Sequence, residues 1–204
     1  MTWVRGVAIR PVPSYAVVDK AALEKVQDDL GADGARTELD AAFVRFERTQ
    51  PFLAERVTAV LGRPLDETAL ALGYFLSIAI WIAFERTFPE RLAEVSADAL
   101  QATEDALTLE EELRASHADE PIDLDDIVAR EQPGILQFVH AHVEAALEGA
   151  EHTAGFPSAR EASHEVDVDD VHVVYRAMLV LTLALSHAVA PARGDEPSTE
   201  EMLA

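Results

Sequence analysis

Apolar positions recur along most of this chain at intervals of three and four residues, the period of an amphipathic helix. Residues 1–18 are the exception: they alternate weakly and hold Pro11 and Pro13, which reads as an extended arm with at most one short strand. Asp19 caps a first helix that runs to about Leu30 and is ended by Gly31 and Gly34. Thr37 or Glu38 opens a second, with Leu39, Phe43 and Phe46 facing inward. Gln50-Pro51 breaks it, because proline rejects the helical conformation for the residue before it yet suits the first turn of a new helix. A third helix follows through Leu53, Val57 and Leu61, and Pro64 and Asp66 open a long apolar one that ends near Phe88-Pro89.

The segment from about Glu90 to Ala115 predicts another helix. Leu92, Val95, Ala99, Ala102, Ala106, Leu109 and Leu113 lie alternately three and four apart, a heptad seam expected to be buried against a neighbour. Beyond a loop at 116–121, Asp123 caps a segment that Gln132-Pro133 breaks as Gln50-Pro51 did. Helices are then expected from about Pro133 to Leu147 and from Asp169 to Ala190, separated by a long connection over 149–166. Residues 192–204, with Gly194, Pro197 and several acids, read as a disordered acidic tail.

These breaks belong to an internal echo. Arg48-Thr49-Gln50-Pro51 returns 82 residues later as Arg130-Glu131-Gln132-Pro133, each followed by matching apolar positions. At an offset of 101, Leu70, Leu72, Tyr74 and Ile78 fall on Val171, Val173, Tyr175 and Leu179. The expectation is an all-α bundle of about seven helices in a single domain over 1–191. It is built from two tandem related half-units, about 38–88 and 122–190, joined by the helix 90–115, with a short extended N-terminal arm.

Composition sharpens this picture. Glycine is scarce, and nearly half the residues are apolar, enough for a sizeable core. The chain carries 38 acids against 16 bases, a net charge of −22. So few cations argue against binding a phosphate backbone, so no nucleic-acid partner is expected. The acids suit a solvated helical surface or a salt-adapted one, or mimicry of nucleic acid toward a basic partner. Absence of cysteine excludes disulfides, thiolate metal sites and cysteine nucleophiles. The first residues hold no uninterrupted apolar core ahead of a cleavage site, and a cytoplasmic location is expected. Ala69 to Phe84 is an uncharged run of 16, short of the roughly 20 that span a bilayer, and reads as a buried central helix rather than a membrane segment.

Candidate chemistry is sparse. The paired Arg48/Gln50 and Arg130/Gln132 could jointly hold an anion or a peptide. The structural alternative has the arginines bonding the last carbonyls of one helix and the glutamines serving the open amides of the next. Histidines crowd the second half, where His140 and Glu144 share a helical face that His152 would continue, and Glu161 and His164 have the Glu-x-x-His spacing of di-iron bundles. That fold needs two such motifs and two further inward glutamates, and only this one motif occurs, in a segment that reads as a loop. Asp123-Leu124-Asp125-Asp126 and Asp167-Val168-Asp169-Asp170 lack the glycine and glutamate of a calcium loop and read as helix caps. Tyr74, Trp81 and Tyr175 sit on the two longest apolar helices, and across a pseudo-twofold the tyrosines would be mates near the axis, packing in the core or lining a cavity. Nucleophile elbow, phosphate loop and dinucleotide fingerprint are all missing. The first functional expectation is a non-catalytic protein-interaction or scaffolding role, with a protein partner or a homodimer and no cofactor. The alternative is a small-molecule or metal-binding protein with a site between the half-units. An acidic inhibitor of a basic partner is the second alternative.

Overall fold

The computed structural model describes residues 8–31, 35–115, 124–147 and 167–192. The described residues form eight α-helices and no strand. They are α1 (Lys20–Gly31), α2 (Ala35–Thr49), α3 (Pro51–Leu61), α4 (Glu67–Thr87), α5 (Ala97–Ala115), α6 (Leu124–Glu131), α7 (Pro133–Leu147) and α8 (Val168–Ala188). Residues 8–19 hold a single 3-10 turn at Ser14–Ala16 and no strand. The connection expected over 149–166 and all but the first residue of the tail lie outside the described residues.

Two helices make the centre. Every residue from Phe75 to Phe84 of α4 is buried, and so is every residue from Met178 to Ser186 of α8. A helix apolar on all sides is stable only where neighbours surround it. Accordingly α4 packs on α1, α2, α3, α7 and α8, and α8 on α3, α4, α5 and α7. Both are long and apolar enough to cross a bilayer, yet 72% of the most apolar window of α4 and 61% of that of α8 lie inside the bundle.

The central helices run side by side in the same direction, since both pairs of ends meet. At their starts Asp66 caps α4 by accepting from Ala69 N at 2.9 Å, and Asp167 caps α8 by accepting from Asp169 N at 2.9 Å. The caps also bond across: Asp167 N donates to Asp66 Oδ2 at 3.2 Å, and Asp66 N to Asp170 Oδ2 at 2.7 Å. Beyond their far ends Leu92 and Val189 form an isolated antiparallel bridge. In between, Gly73 lets α8 approach, for a Cβ there would stand 3.2 Å from both Val174 methyls and 2.6 Å from Leu61 Cδ2.

Pro51 and Pro133 open α3 and α7 directly after helices that end at Thr49 and Glu131, as the rule for the residue before proline predicts. The helix expected from Glu90 instead starts at Ala97. Residues 91–95 are held out of helical geometry by bonds to distant partners: Ala93 N donates to Ala188 O, Ala190 N to Arg91 O, and Gln50 grips Ala93 and Val95. Ser96 then caps α5 through Ala99 N. The heptad seam is corrected as well. Ala99, Ala102 and Leu109 are exposed, and Leu100 and Leu107 are buried instead. Three methyl groups of alanine in mid-seam satisfy a heptad pattern on paper without supplying the area that decides which face turns inward.

Candidate functional site

Two glutamines just ahead of the junction prolines are buried, Gln50 at 2% exposure and Gln132 at 0%. Neither does what capping predicts. The Gln50 side chain makes no bond to the start of α3. Its Nε2 donates to Ala93 O at 2.9 Å, and its Oε1 accepts from Val95 N at 2.8 Å. Gln132 treats the segment ahead of α1 identically: Nε2 donates to Ala16 O at 2.8 Å, and Oε1 accepts from Val18 N at 3.0 Å. Each primary amide thus imitates a strand residue, pairing with a carbonyl and an N–H two positions apart. Gln132 also meets Ser186 Oγ of α8 at 2.8 Å.

The gripped segments reveal an echo that the periodicity did not expose. Ala16-Val17-Val18-Asp19 and Ala93-Glu94-Val95-Ser96 match 77 residues apart. The match runs on into the helices, where Leu23 and Leu30 of α1 fall on Leu100 and Leu107 of α5, all four buried. With two of four positions identical over the gripped stretch, the signal is visible only once the glutamines point to it.

The arginines of the repeated element stay outside. Arg48 is exposed in the last turn of α2, and Arg130 is exposed beside Glu131 at 3.7 Å. They do not join the glutamines in a binding site. Tyr74 and Tyr175 turn to different helices. Tyr74 packs on Phe43 with its hydroxyl 3.3 Å from Asp40, whereas Tyr175 stacks on His140 with its hydroxyl 2.9 Å from Nε2. Trp81 lies in the core against Phe46 with the Arg45 guanidinium 5.5 Å from its ring, and its Nε1 has no hydrogen-bond partner among the described residues. Glu144, one turn beyond His140, is exposed; His152, Glu161 and His164 fall outside the described residues. Among the described residues no three His, Asp or Glu gather as metal ligands would.

A cleft open to solvent lies elsewhere among the described residues, between α3, α5 and α8, with a volume of about 110 Å³. Leu53, Val57 and Val60 of α3 and Val173, Ala177 and Val180 of α8 supply its apolar walls. Its polar groups are Arg56 and Arg63 of the α3 end, Glu104 of α5, and His172 and Arg176 of α8. Arg56 pairs with Glu104 through Nε. Arg176 forks onto Glu111 at 2.9 and 3.2 Å and reaches Thr108 Oγ1 at 2.9 Å. Arg63 is exposed and makes no ion pair among the described residues. The sequence marked His172 as one of the second-half histidines and Arg176 as a charge within an apolar helix, but not that they share a cleft with Arg56, Arg63 and Glu104, which come from elements far apart along the chain.

Where α7 meets α4, three rings fill the space between the helices. Phe75, Phe138 and His142 pack ring against ring, Phe138 and His142 at 4.3 Å, Phe75 and His142 at 5.1 Å. Burial pushes His142 below the usual imidazole range, opposed by the bond from its Nδ1–H to Phe138 O at 2.8 Å. His187 is lowered by burial too, and donates from Nε2 to Arg10 O and Pro11 O at 3.1 and 3.3 Å. No protein-family model, curated protein or solved structure matches this chain.

Proposed function

We propose that the chain is a non-catalytic small-molecule-binding protein, built of two related four-helix half-units, with its site in the cleft between α3 of the first and α5 and α8 of the second. The half-units are drawn as 16–88 and 93–189, which makes α5 the counterpart of α1 rather than a linker. Support for the duplication comes from two pairs of equivalent glutamine bonds and from the two capping aspartates. Gln50 of the first unit grips the second at Ala93 and Val95, Gln132 of the second grips the first at Ala16 and Val18, and the caps Asp66 and Asp167, 101 apart, bond across at the helix starts.

The observation that carries the functional reading is the inequality of the two equivalent spaces. At the offset of 82, Arg56 falls on Phe138 and Val60 on His142; at the offset of 101, Arg176 falls on Phe75. One place is closed by three rings tilted against one another, and the other keeps a cleft lined by guanidinium groups. Packing alone favours the filled version, since a void forfeits contacts. A cleft kept open at one of two equivalent places is what a ligand site requires. The exposed large apolar side chains support this reading over a flat protein-docking face. Val17, Val44, Phe52, Leu70, Leu109, Leu147 and Val168 fall one to an element and do not line up along any single helix. A cytoplasmic, water-soluble protein goes with this reading, because α4 and α8 turn their apolar surface to one another and to their neighbours.

Thermal-shift screening of a fragment collection tests the proposal, with wild-type protein beside Ala177→Phe, which fills the cleft. Ligands that bind only the folded state raise the melting temperature. Stabilising fragments should lose their effect in the filled variant. Stabilisation that survives the filling contradicts a site in this cleft.

A further inference from the structure

Resting on that reading, we infer that the ligand class is a small monoanion with an apolar tail, a monocarboxylate of about four to six carbons. Charge sets the head group. Arg56, Arg63 and Arg176 stand against Glu104 and Glu111, the partners of the first and third, leaving one unbalanced positive charge at Arg63. In a chain of net charge −22 that is a local reversal of sign. Donor capacity points the same way. A guanidinium offers five N–H groups. Arg56 donates through Nε to Glu104, and Arg176 through Nε and Nη2, so both of these lining residues keep terminal N–H groups for a ligand, as Arg63 does. A planar carboxylate fits that fork geometry.

The walls set the tail. Val57, Val60, Val173, Ala177 and Val180 offer only carbon, which gives a dianion such as phosphate nothing to bond beyond the rim. A cavity of about 150 Å³ lined by aliphatic side chains takes one benzene. The about 110 Å³ here therefore suits a shorter chain.

Proton–nitrogen NMR titration of the full chain with sodium hexanoate tests the assignment, with hexanol, hexylammonium and inorganic phosphate as parallel probes. Hexanoate should saturably shift the amides of Val57, Val60, Val173 and Ala177, with each of the other probes at least about tenfold weaker. Arg63→Ala should weaken hexanoate about tenfold, the loss of one charge-assisted contact. Glu104→Gln, which releases Arg56 from its carboxylate, should tighten it. Hexanol or phosphate shifting the same amides as strongly as hexanoate overturns the monoanion class and leaves the cleft as a site. Failure of all four probes to move these amides overturns the cleft itself.

Discussion

A buried glutamine is an unusual choice for a helix junction, and here its two ends satisfy backbone groups that no helix ladder reaches. Ala16 O ends a single 3-10 turn and Val18 N follows it, with no strand in residues 8–19 to pair with either. Gln132→Ala strands both and removes the bond that Gln132 Nε2 donates to Ser186 Oγ, and each orphaned buried group costs about 1–3 kcal/mol. Urea unfolding should show a loss of about 2–4 kcal/mol for Gln132→Ala and somewhat less for Gln50→Ala, which has two partners rather than three. A loss under about 0.5 kcal/mol in both would mean water replaces the amides freely. The sequence announced these positions through the repeated Arg-x-Gln-Pro, but not their task. Local rules assign a glutamine before proline to the nearest open amides, whereas its partners lie 45 and 114 residues away. The arginines, equally repeated, remain at the surface. Repetition marked a structural device and the polar residues of the cleft carried no repeat at all.

At the scale of elements, the long apolar helices α4 and α8 were legible because a run without charges must be covered. The faces of α5 were not legible, because the three alanines in the middle of the seam obey a heptad without deciding burial. Ala102→Leu, expected from the seam to overpack, should instead change stability by no more than about 0.5 kcal/mol, as an exposed substitution does. Leu107→Ala, on the buried face, should cost about 2–5 kcal/mol. Thermal melts of the pair decide which face of α5 meets α8. A second prediction at this scale concerns α7 and α8. His142 and His187 both have folded pKa values held below the ordinary 6.5, so the unfolded chain takes up protons first as pH falls. Their contribution to stability is complete above pH 6.5 and is lost progressively below it. The melting temperature should therefore fall from pH 7.5 to 5.5, and His142→Phe, which keeps a ring against Phe75 and Phe138, should flatten the slope. An unchanged slope in that variant would place His142 in contact with water.

The whole molecule carries a net charge of −22, and the described residues hold six ion pairs, one of them between sequence neighbours and another within a single helical turn. Folding gathers the unpaired acids closer than the open chain does. Salt at about 0.1 M screens exposed charges beyond about 10 Å. Urea midpoints should thus rise as sodium chloride goes from very low to a few hundred millimolar. A falling midpoint would show that local pairs such as Arg45–Glu85 and Arg86–Asp29 dominate.

The central claim is that two related halves clasp one another through Gln50 and Gln132 and keep one of two equivalent spaces open for a ligand. A crystal structure of the full chain grown with hexanoate tests it most directly. The carboxylate should lie within hydrogen-bond reach of Arg63 and its tail between Val57 and Ala177, with Phe75, Phe138 and His142 still packed together and unliganded. Hexanoate lodged among those three rings, or a cleft closed by its own side chains, would contradict it.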